Sequence, residues 1–392
     1  MATYEFWLTD DRGVRIRILK DVAFASYTRA INGLGTCQFG LPLELVSDLV
    51  PYFQPDWRLE AWRSAAYGIP MRREDVFLLR KPVVYTRVDN VQMIQYYGRN
   101  GVDLLKRRVV AQRGGTSWAK KTDQIDDMMK AFVREQMLYG SALDEDGAVD
   151  NTRAWPQGEF SVQADAGAGP SVTRNFPERN VFDLCVDLTK TAKQKNRTNS
   201  ANRKIYFDVV PVNVSGAPSG SMLGWEFRTY AEARGSDRTG GLEFSLENEN
   251  IKEPNFSVDR LDEVTAVWVR GNGKGASQKV VGVEDSTRVN ASRWNRVEKS
   301  LNASNATTTA ELQDAGEAEL GKGIPKEELT VTLLNTPGSS SVPRSLYGID
   351  WDLGDLVRVN YAARQFEAEI AAIYVSVDEN GEEEITGRSV VQ

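Results

Sequence analysis

The chain has 392 residues, of which 41% are hydrophobic and 26% charged, and its formal net charge is −7. This composition provides enough apolar surface for two or three folded domains and excludes wholesale disorder. It contains no run of about 18 apolar residues that could span a bilayer, and its N-terminal residues lack the basic and apolar regions of a secretory signal.

The chain contains no histidine and only two cysteines, Cys37 and Cys185. Without histidine it cannot form a Ser-His-Asp triad or a histidine-ligated zinc site, and we predict that it is not an enzyme. Two cysteines so far apart provide neither a disulfide framework nor a metal cluster. We expect buried free thiols, as in proteins that fold in a reducing compartment.

The first region, residues 1–112, is predicted to be a β domain. Val14, Ile16 and Ile18 alternate with arginines after a turn, which is typical of a half-buried strand. Short strands at this spacing favour an antiparallel barrel or sandwich. Further elements are predicted as a short helix at 45–52 and strands at 36–43, 57–62, 76–79, 83–88 and 91–97.

The middle region, residues 113–325, is predicted to mix strands with three amphipathic helices, near 121–139, 178–194 and 309–321. The first is the clearest, because apolar residues recur at intervals of three and four along it. Thr122 or Asp123 is expected to cap this helix, and Thr308 or Thr309 the third one. Strands of this region are predicted at 205–214, 225–230, 242–246, 264–269 and 280–283.

The last region, residues 326–392, is predicted to be a second β domain, which strands from the middle region can complete. From Glu311 to the C-terminus there are 16 acidic and 6 basic residues, a net charge of −10. The predicted fold class is therefore α+β and predominantly β. Strands of this region are predicted at 330–334, 355–359, 366–377 and 384–385, with a hairpin turn at 378–383.

Two motifs invite a ligand-binding interpretation. GNGKGAS at 271–277 lies between two strands and lacks the Ser or Thr that follows the lysine of a phosphate loop, so a hairpin turn is favoured. Asp350, Asp352 and Asp355 are closely spaced, but the glycine and glutamate positions of an EF-hand do not match, so a turn into a strand is favoured over calcium. We predict no cofactor and no metal.

Other functional classes have weaker signals. The basic segments 105–113 and 193–204 are short and lack interleaved aromatics, so sequence-specific binding of nucleic acid is not expected. The nine tryptophans could form a sugar platform, although packing within strands is favoured for them. With 55 acidic residues, a glycosidase with paired carboxylates stays open.

The order of several motifs resembles the baseplate hub, or tail-associated, proteins of siphoviruses, which are related to the central hub of contractile phage baseplates. The resemblance runs from about residue 80 to the C-terminus. It is strongest at the end, where aromatic-Asp-aromatic-Asp-Leu-Gly-Asp leads into a strand. The motifs are GVDLLKRRVV (101–110), DDMMKAFVREQM (126–137), TGGLEFSLENENI (239–251), TAVWVRGNG (265–273), SRWNRVEK (292–299) and YGIDWDLGDLVRV (347–359).

This resemblance implies a homotrimeric ring that closes the distal end of a phage tail tube. Each subunit would contribute two tube-type β-barrel domains, and the ring would adapt a sixfold tail to a threefold tip and gate the exit of DNA and tape measure protein. The implied location is the tail tip or baseplate of the virion, assembled in the host cytoplasm. The implied partners are further copies of the chain, the distal tail protein ring, the C-terminus of the tape measure protein, a tail tip or fibre protein and transiently passing DNA. No membrane insertion by this chain is expected.

The resemblance implies structural residues and no catalytic ones. Asp350, Asp352, Gly354 and Asp355 are expected to shape the entry to the last barrel. Part of the −10 charge is expected to face the lumen, where it would repel DNA phosphates. The chain ends about ten residues after its last predicted hairpin turn, so we expect the hub alone, without a hydrolase or fibre. Trp294 and Arg296 are expected to stabilise the mixed region.

Three alternatives stay open. A cell-wall glycoside hydrolase would need a cleft with two carboxylates about 5–10 Å apart. A receptor- or sugar-binding module would present exposed tryptophans on one concave face. The neighbouring distal tail protein would form a hexamer instead of a trimer.

Overall fold

The computed structural model describes residues 2–20, 22–48, 55–113, 117–214, 222–273, 275–304, 306, 308–340 and 342–391. Strands contain 44% of the residues and helices 17%, which confirms the predominantly β class. None of the described helices is both long and apolar enough to cross a membrane. Cys37 and Cys185 are buried and free, as predicted.

The described strands are β1 (Thr3–Thr9), β2 (Arg15–Leu19), β3 (Phe24–Ala30), β4 (Thr36–Pro42), β5 (Arg58–Ser64), β6 (Arg72–Thr86), β7 (Gln92–Asn100), β8 (Lys120–Gln124), β9 (Phe160–Val162), β10 (Ser171–Asn175), β11 (Ile205–Asn213), β12 (Leu223–Ala231), β13 (Glu243–Ser245), β14 (Ile251–Asp259), β15 (Ala266–Arg270), β16 (Val280–Glu284), β17 (Glu298–Asn302), β18 (Lys326–Leu334), β19 (Leu356–Tyr361), β20 (Arg364–Val377) and β21 (Glu383–Val391). The described α-helices are α1 (Asp103–Lys106), α2 (Ile125–Met137), α3 (Val181–Thr198), α4 (Ser286–Val289) and α5 (Thr309–Lys322).

The three predicted amphipathic helices are present as α2, α3 and α5. The predicted start of α2 was wrong, because Thr122 and Asp123 lie in β8, which pairs with β10. A capping pattern involves neighbouring residues only, so it gives no sign that this segment pairs with β10, which lies about 50 residues later in the chain. α5 begins as predicted: the Thr308 hydroxyl accepts from the Glu311 amide, and the Glu311 carboxylate accepts from the Thr308 amide, a reciprocal capping box.

Some predicted elements differ in extent. The short helix predicted at 45–52 is a 3₁₀ turn at Leu43–Val46, and residues 49–52 lie outside the described residues. The two strands predicted at 76–79 and 83–88 are one long strand, β6. The GNGKGAS segment joins β15 to β16, which pair in antiparallel as predicted for a hairpin, although Lys274 is not among the described residues.

Strands from both ends of the chain form one 13-stranded sheet. Its order is β14-β18-β21-β20-β3-β4-β7-β6-β5-β1-β2, with β13 and β19 attached beside β20. The junction is the antiparallel pair of β3 and β20, in which Ala25 faces Val377 and Ala30 faces Ala372. Three smaller sheets have the orders β10-β8, β11-β12-β9 and β16-β15-β17.

The two predicted barrels are not confirmed. A barrel closes only when its last strand pairs with its first. In the described residues, none of the four sheets closes in this way, and the large sheet instead continues from the first region into the last through β3 and β20. The predicted domain boundaries at residues 112 and 325 stay a prediction.

The chain divides into two compact units. Unit 1 consists of Met1–Thr189, Ile205–Pro254 and Thr330–Gln392, and its core contains large buried aromatic side chains: Phe39, Phe77, Phe132, Phe207, Phe244 and Trp351. Unit 2 consists of Lys190–Lys204 and Asn255–Leu329. In unit 2, α5 packs on the β16-β15-β17 sheet, around a small core of Val267, Val269, Leu312 and Leu320.

Candidate functional site

The motif at 347–359 forms a tight turn that leads into β19. The Trp351 indole N–H donates to the Ser345 carbonyl at 3.0 Å, and the Gly348 amide donates to the Trp351 carbonyl at 2.7 Å. Tyr347 and Trp351 are both buried, with their ring centroids 5.3 Å apart. The apolar residues of the motif therefore pack inward, and its carboxylates meet charged side chains from elsewhere in unit 1.

A buried charged cluster surrounds Tyr347, and we call it the Tyr347 network. At its centre, Glu74 accepts a hydrogen bond from the Tyr347 hydroxyl and is paired with Arg72 at 2.6 Å. Arg29 donates to the Tyr347 hydroxyl at 2.6 Å. The side chain of Glu74 has no solvent exposure, so these partners replace its water shell. The members of the network are Tyr4, Arg29, Arg63, Arg72, Glu74, Asn335, Tyr347, Asp352 and Glu383.

The second half of the Tyr347 network centres on Arg63, which is buried in β5. Its guanidinium donates to both oxygens of Glu383, at 2.8 Å each, and to the Tyr347 carbonyl at 2.9 Å. Tyr4 and Asn335 also donate to Glu383, at 2.6 and 2.8 Å. A bidentate, charge-assisted pair of this kind holds strands of the first and last regions in one register.

Electrostatics keep the groups of the Tyr347 network in defined charge states. Burial raises the pKa of the Tyr347 hydroxyl, which therefore stays protonated and donates. Burial also raises the pKa of Asp352, but Arg29 and Arg72 lower it by more, so the net pKa lies below its ordinary value. Asp352 is therefore ionised between two guanidinium groups, an arrangement that offsets the cost of taking these charges out of water.

The four predicted residues of the motif lie in one turn but have different partners. Asp352 pairs with Arg29 and Arg72 in the Tyr347 network. Asp355 accepts from the backbone amides of Ser236 and Asp352, at 2.7 and 2.9 Å. Asp350 is bound by Arg344, and Gly354 has φ +90°, where a Cβ would come 2.8 Å from the Gly235 amide.

No group of three or more carboxylates or cysteines in the described part of the chain is placed to hold a metal ion. The lone pairs of Asp350, Asp352 and Asp355 are directed to guanidinium groups and amides instead. The predicted role of these residues, shaping the entry to the last β region, stays a prediction.

Trp294 and Arg296 lie in unit 2. Arg296 donates to Glu284 at 2.7 Å and to Glu298 at 2.8 Å. Trp294 is 90% exposed, so it buries little apolar surface within this chain. The stabilising role expected of both residues stays a prediction.

A small polar cavity of about 50 Å³ lies beside the Tyr347 network. It is lined by Asp75, Asp208 and Arg234, and Arg234 pairs with Asp208 at 2.6 Å. Burial raises the pKa of Asp75 to about 6, against the lowering effect of Arg29. Asp75 is therefore a buried carboxyl that titrates near neutral pH, and nothing in its local sequence distinguishes it from a surface residue.

A larger groove of about 980 Å³ lies on one face of the 13-stranded sheet of unit 1. Ion pairs fix part of its lining: Arg107 contacts Asp103 and Asp56, at 2.8 and 2.9 Å. Polar side chains of β3, β4, β20 and β21 also line it, among them Thr28, Gln38, Ser376 and Glu384. Nothing in the sequence indicated this groove, because its lining includes six strands that lie in three separate parts of the chain. Its cationic residues are Arg80, Lys81, Arg99, Lys106 and Arg107.

The acidic C-terminal region is partly neutralised inside the molecule. Asp352 and Glu383 pair with arginines of the first region, and Glu319 pairs with Lys299 and Lys322 at 2.6 and 2.7 Å. Asp355 lies 3.4 Å from Arg238. Most of these carboxylates, which belong to the region from Glu311 to the C-terminus, pair with basic residues that precede it, and Lys322 is the partner from within the region. The expectation of a lumen-facing acidic surface is thereby limited to exposed residues such as Asp378 and Glu379.

Comparison with known proteins identifies relatives of this fold. The sequence pattern of the siphovirus ReqiPepy6 Gp37-like proteins matches residues 78–387. No curated protein sequence matches the chain significantly.

Among solved structures, the 43 kDa tail protein of prophage MuSo2 from Shewanella oneidensis aligns with a TM-score of 0.54 at 13% identity, covering 99% of this chain and 98% of that one. The tail protein from Neisseria meningitidis MC58 aligns with a TM-score of 0.50 at 10% identity, covering 99% and 96%. A chain of the Francisella PdpA-VgrG complex aligns with a TM-score of 0.51 at 10% identity, covering 100% of this chain and 58% of its own length. The structural alignments show that these proteins share a fold with this chain, and at identities this low they show the fold alone.

Proposed function

The chain belongs to the siphovirus ReqiPepy6 Gp37-like family, and from this premise we propose that it is a structural tail protein, the trimeric hub of a siphovirus baseplate. The observation that carries the proposal is the match of fold over the full length of the chain to tail proteins from Shewanella and Neisseria prophages or genomes. In this role the ring closes the distal end of the tail tube.

The construction of unit 1 suits a ring subunit. Strands from both ends of the chain share one sheet, and the Tyr347 network crosslinks them through side chains that are hundreds of residues apart. A subunit that transmits force along a tail needs a rigid framework, and buried bidentate ion pairs provide defined geometry.

The edge of the large sheet supports association with further copies. β2 is the terminal strand at this edge, and in the described residues its pairing partner is β1 alone. Ile16 on β2 is 41% exposed, and the exposed Leu45 lines a surface groove together with Ile18 of the same strand. Open, apolar strand edges favour aggregation unless they are covered, and a closed ring covers them. We propose that tube-type barrels are completed between copies.

The proposed partners are the distal tail protein ring, the C-terminus of the tape measure protein and a tip or fibre protein. DNA would pass the ring transiently. Exposed carboxylates of the C-terminal region, including Asp378 and Glu379, would face the lumen and repel its phosphates. The location is then the tail tip of the virion.

The rival function, a glycosidase, requires two carboxylates that face a cleft and are available for proton transfer and attack. In the large groove, Asp103 is engaged by both Arg99 and Arg107. This arrangement favours a structural role for the groove, and we assign no catalytic residue.

The test is the oligomeric mass of the purified full-length chain, measured by light scattering after size-exclusion chromatography. We expect three times the chain mass. Ile16→Lys should shift the protein to monomer, because it places a charge on the exposed β2 edge without disturbing a buried position. Val88→Lys, at a fully exposed turn, is the matched control and should leave the trimer intact.

A hexamer would select the distal tail protein instead, and a monomer at all concentrations would contradict the hub. Negative-stain images of the trimer should contain rings with an axial channel. Release of soluble fragments from peptidoglycan by the purified chain would favour the glycosidase.

A further inference from the structure

One face of the unit 2 sheet is covered by α5 and the other is open. Val267, Val269 and Val283 point toward α5, where they pack around Leu312. Strand residues alternate between faces, so Trp268 points to the opposite face. In the register of the sheet, Trp268 is flanked by Gly282 on β16 and by Ser300 on β17.

The indole of Trp268 lies against the strand beside it. A Cβ placed on Gly282 would come 2.9 Å from the Cζ3 atom of Trp268, so the ring occupies the space that a side chain would need. Arg296 and the Trp268 indole both lower the pKa of the Glu298 carboxyl, so this carboxylate lies near the indole N–H. Trp268 is nevertheless 45% exposed. The six-membered part of the indole therefore lies against Gly282, while nearly half of the side chain stays open to solvent.

Polar groups of both signs surround this ring. Arg296 bridges Glu284 and Glu298, and the Arg270 guanidinium donates to the Ser300 hydroxyl at 2.8 Å. The two arginines and two glutamates give a net charge of zero. We define the Trp268 face as Trp268, Arg270, Gly282, Glu284, Arg296, Glu298 and Ser300.

These features restrict the chemistry of a ligand. Nucleic acid binding rests on an excess of cations, which a neutral rim does not supply. A stable protein interface needs roughly 1,000 Å² or more, with an apolar centre. Among the described strand residues on this side of the sheet, Trp268 and Val280 are the large exposed apolar side chains. A neutral ligand with one apolar face and many hydroxyl groups matches both the ring and the rim.

We propose that the Trp268 face is a binding site for neutral saccharide chains. The C–H groups on the apolar face of a pyranose ring would stack on the electron-rich face of the indole. The hydroxyl groups at the edge of the sugar would bond to the planar carboxylate and guanidinium groups of Glu298 and Arg270. Because these ion pairs and the glycine contact already hold the side chains, little ordering is needed on binding. The site lies wholly within unit 2 and does not depend on the proposed trimer.

The test uses the full-length chain with two soluble probes, chitotetraose and cellotetraose, whose pyranose rings present axial C–H groups. Saturation-transfer NMR titrations give the dissociation constant, which we expect near ~1 mM for one stacking residue. Trp268→Ala should weaken binding at least tenfold. Gly282→Ala should weaken it several-fold while keeping the tryptophan, because the added Cβ displaces the ring.

Tyr67→Ala is the matched control, because Tyr67 is a fully exposed aromatic residue in unit 1 and its loss should change binding less than twofold. Failure of the wild-type chain to bind either probe at 10 mM would overturn the proposal, as would equal binding by Trp268→Ala. The oligomeric mass of Trp268→Ala should equal that of the wild type. If the mass of Trp268→Ala differs from that of the wild type, the Trp268 face contacts a second copy of the chain, and the saccharide proposal is overturned. This conclusion holds whether the wild type is a trimer or not.

Discussion

The two compact units are stabilised in different ways. Unit 1 joins strands from both ends of the chain through buried polar contacts, in which Tyr347 meets Glu74 and Arg63, 273 and 284 residues earlier in the chain. Unit 2 is built mostly from one stretch of chain, in which α5 covers one face of three strands over a small aliphatic core. Unit 1 therefore adds to its aromatic core ion pairs that fix strand register, whereas unit 2 depends on a small aliphatic core and a helix cap.

This difference predicts which substitutions lower the free energy of unfolding of each unit most. A buried ion pair contributes little net stability but is costly to break, because the remaining partner is left charged in a low dielectric. A small aliphatic core loses transfer free energy and gains a cavity when one leucine is truncated. The predictions below test whether the two units fail separately and for these reasons.

The largest effect is expected at the centre of the Tyr347 network. Glu74→Ala removes the buried acceptor of Tyr347 and Arg72, and we expect a loss of about 3–5 kcal/mol in the free energy of unfolding of unit 1. Urea denaturation combined with hydrogen exchange by peptide measures this loss unit by unit. Glu379→Ala, at an exposed turn, is the control. A loss below ~1 kcal/mol would show that the network is dispensable.

A somewhat smaller effect is expected in the core of unit 2. Leu312→Ala truncates a fully buried leucine and should cost about 3 kcal/mol, with faster hydrogen exchange confined to unit 2. Leu261→Ala is the same chemical change at a leucine of unit 2 that is 94% exposed, and it should be near neutral. Equal losses in the two variants would mean that packing under α5 does not stabilise the unit.

The third effect depends on pH. The folded pKa of Asp75 is about 6, whereas the pKa of an unfolded aspartate is ~3.9, so the folded state binds this proton more tightly. Its contribution is therefore complete below pH ~4 and is lost as the pH rises through 6. The stability of wild type relative to Asp75→Asn should fall by about 2–3 kcal/mol between pH 4 and pH 7.5.

Chemical denaturation at a series of pH values measures this difference. Because other carboxyls are present in both proteins, their titration cancels in the comparison. Asp89→Asn is the control: Asp89 is an exposed residue whose pKa the hydrogen bond from Arg87 lowers, so this variant should give no such fall. A pH-independent difference between wild type and Asp75→Asn would contradict the raised pKa.

The smallest effect is expected at the cap of α5. Thr308→Ala removes the hydroxyl that accepts from the Glu311 amide and should cost about 1 kcal/mol, with exchange accelerated in the first turn of α5. Thr309→Ala, one residue further into the helix, keeps the cap and should cost less. If both variants behave alike, the capping box does not stabilise unit 2.

How well the sequence predicts an element depends on how far apart in the chain the residues that stabilise it lie. The helices were predictable, because a period of 3.6 residues and a capping box are local features, and α5 begins at the expected residue. The start of α2 was not predictable, since pairing of β8 with β10 overrides the local cap. The family resemblance was recognisable from the order of short motifs, and the match over residues 78–387 confirms it.

The residues of the candidate site show the same limit. The 347–359 motif was visible, but its partners Arg29, Arg63 and Glu74 were not, because a charged residue in a strand normally indicates a solvent-facing position. β5 shows why that rule fails here. Its consecutive residues Arg58, Leu59 and Glu60 are all buried, so both faces of the strand are covered. Alternation of polar and apolar residues therefore does not indicate which face is buried.

The amino-acid sequence by itself determined the β-rich class, the helices, the free thiols and the family, because these depend on composition, periodicity and short ordered motifs. Only the tertiary structure decided that both ends of the chain share one sheet, that Tyr347 is the centre of a charged network and that Trp268 lies against Gly282 with part of its side chain exposed. Strand pairing and ion pairing join residues far apart in the chain, and their free energy depends on distances and burial that no local pattern encodes.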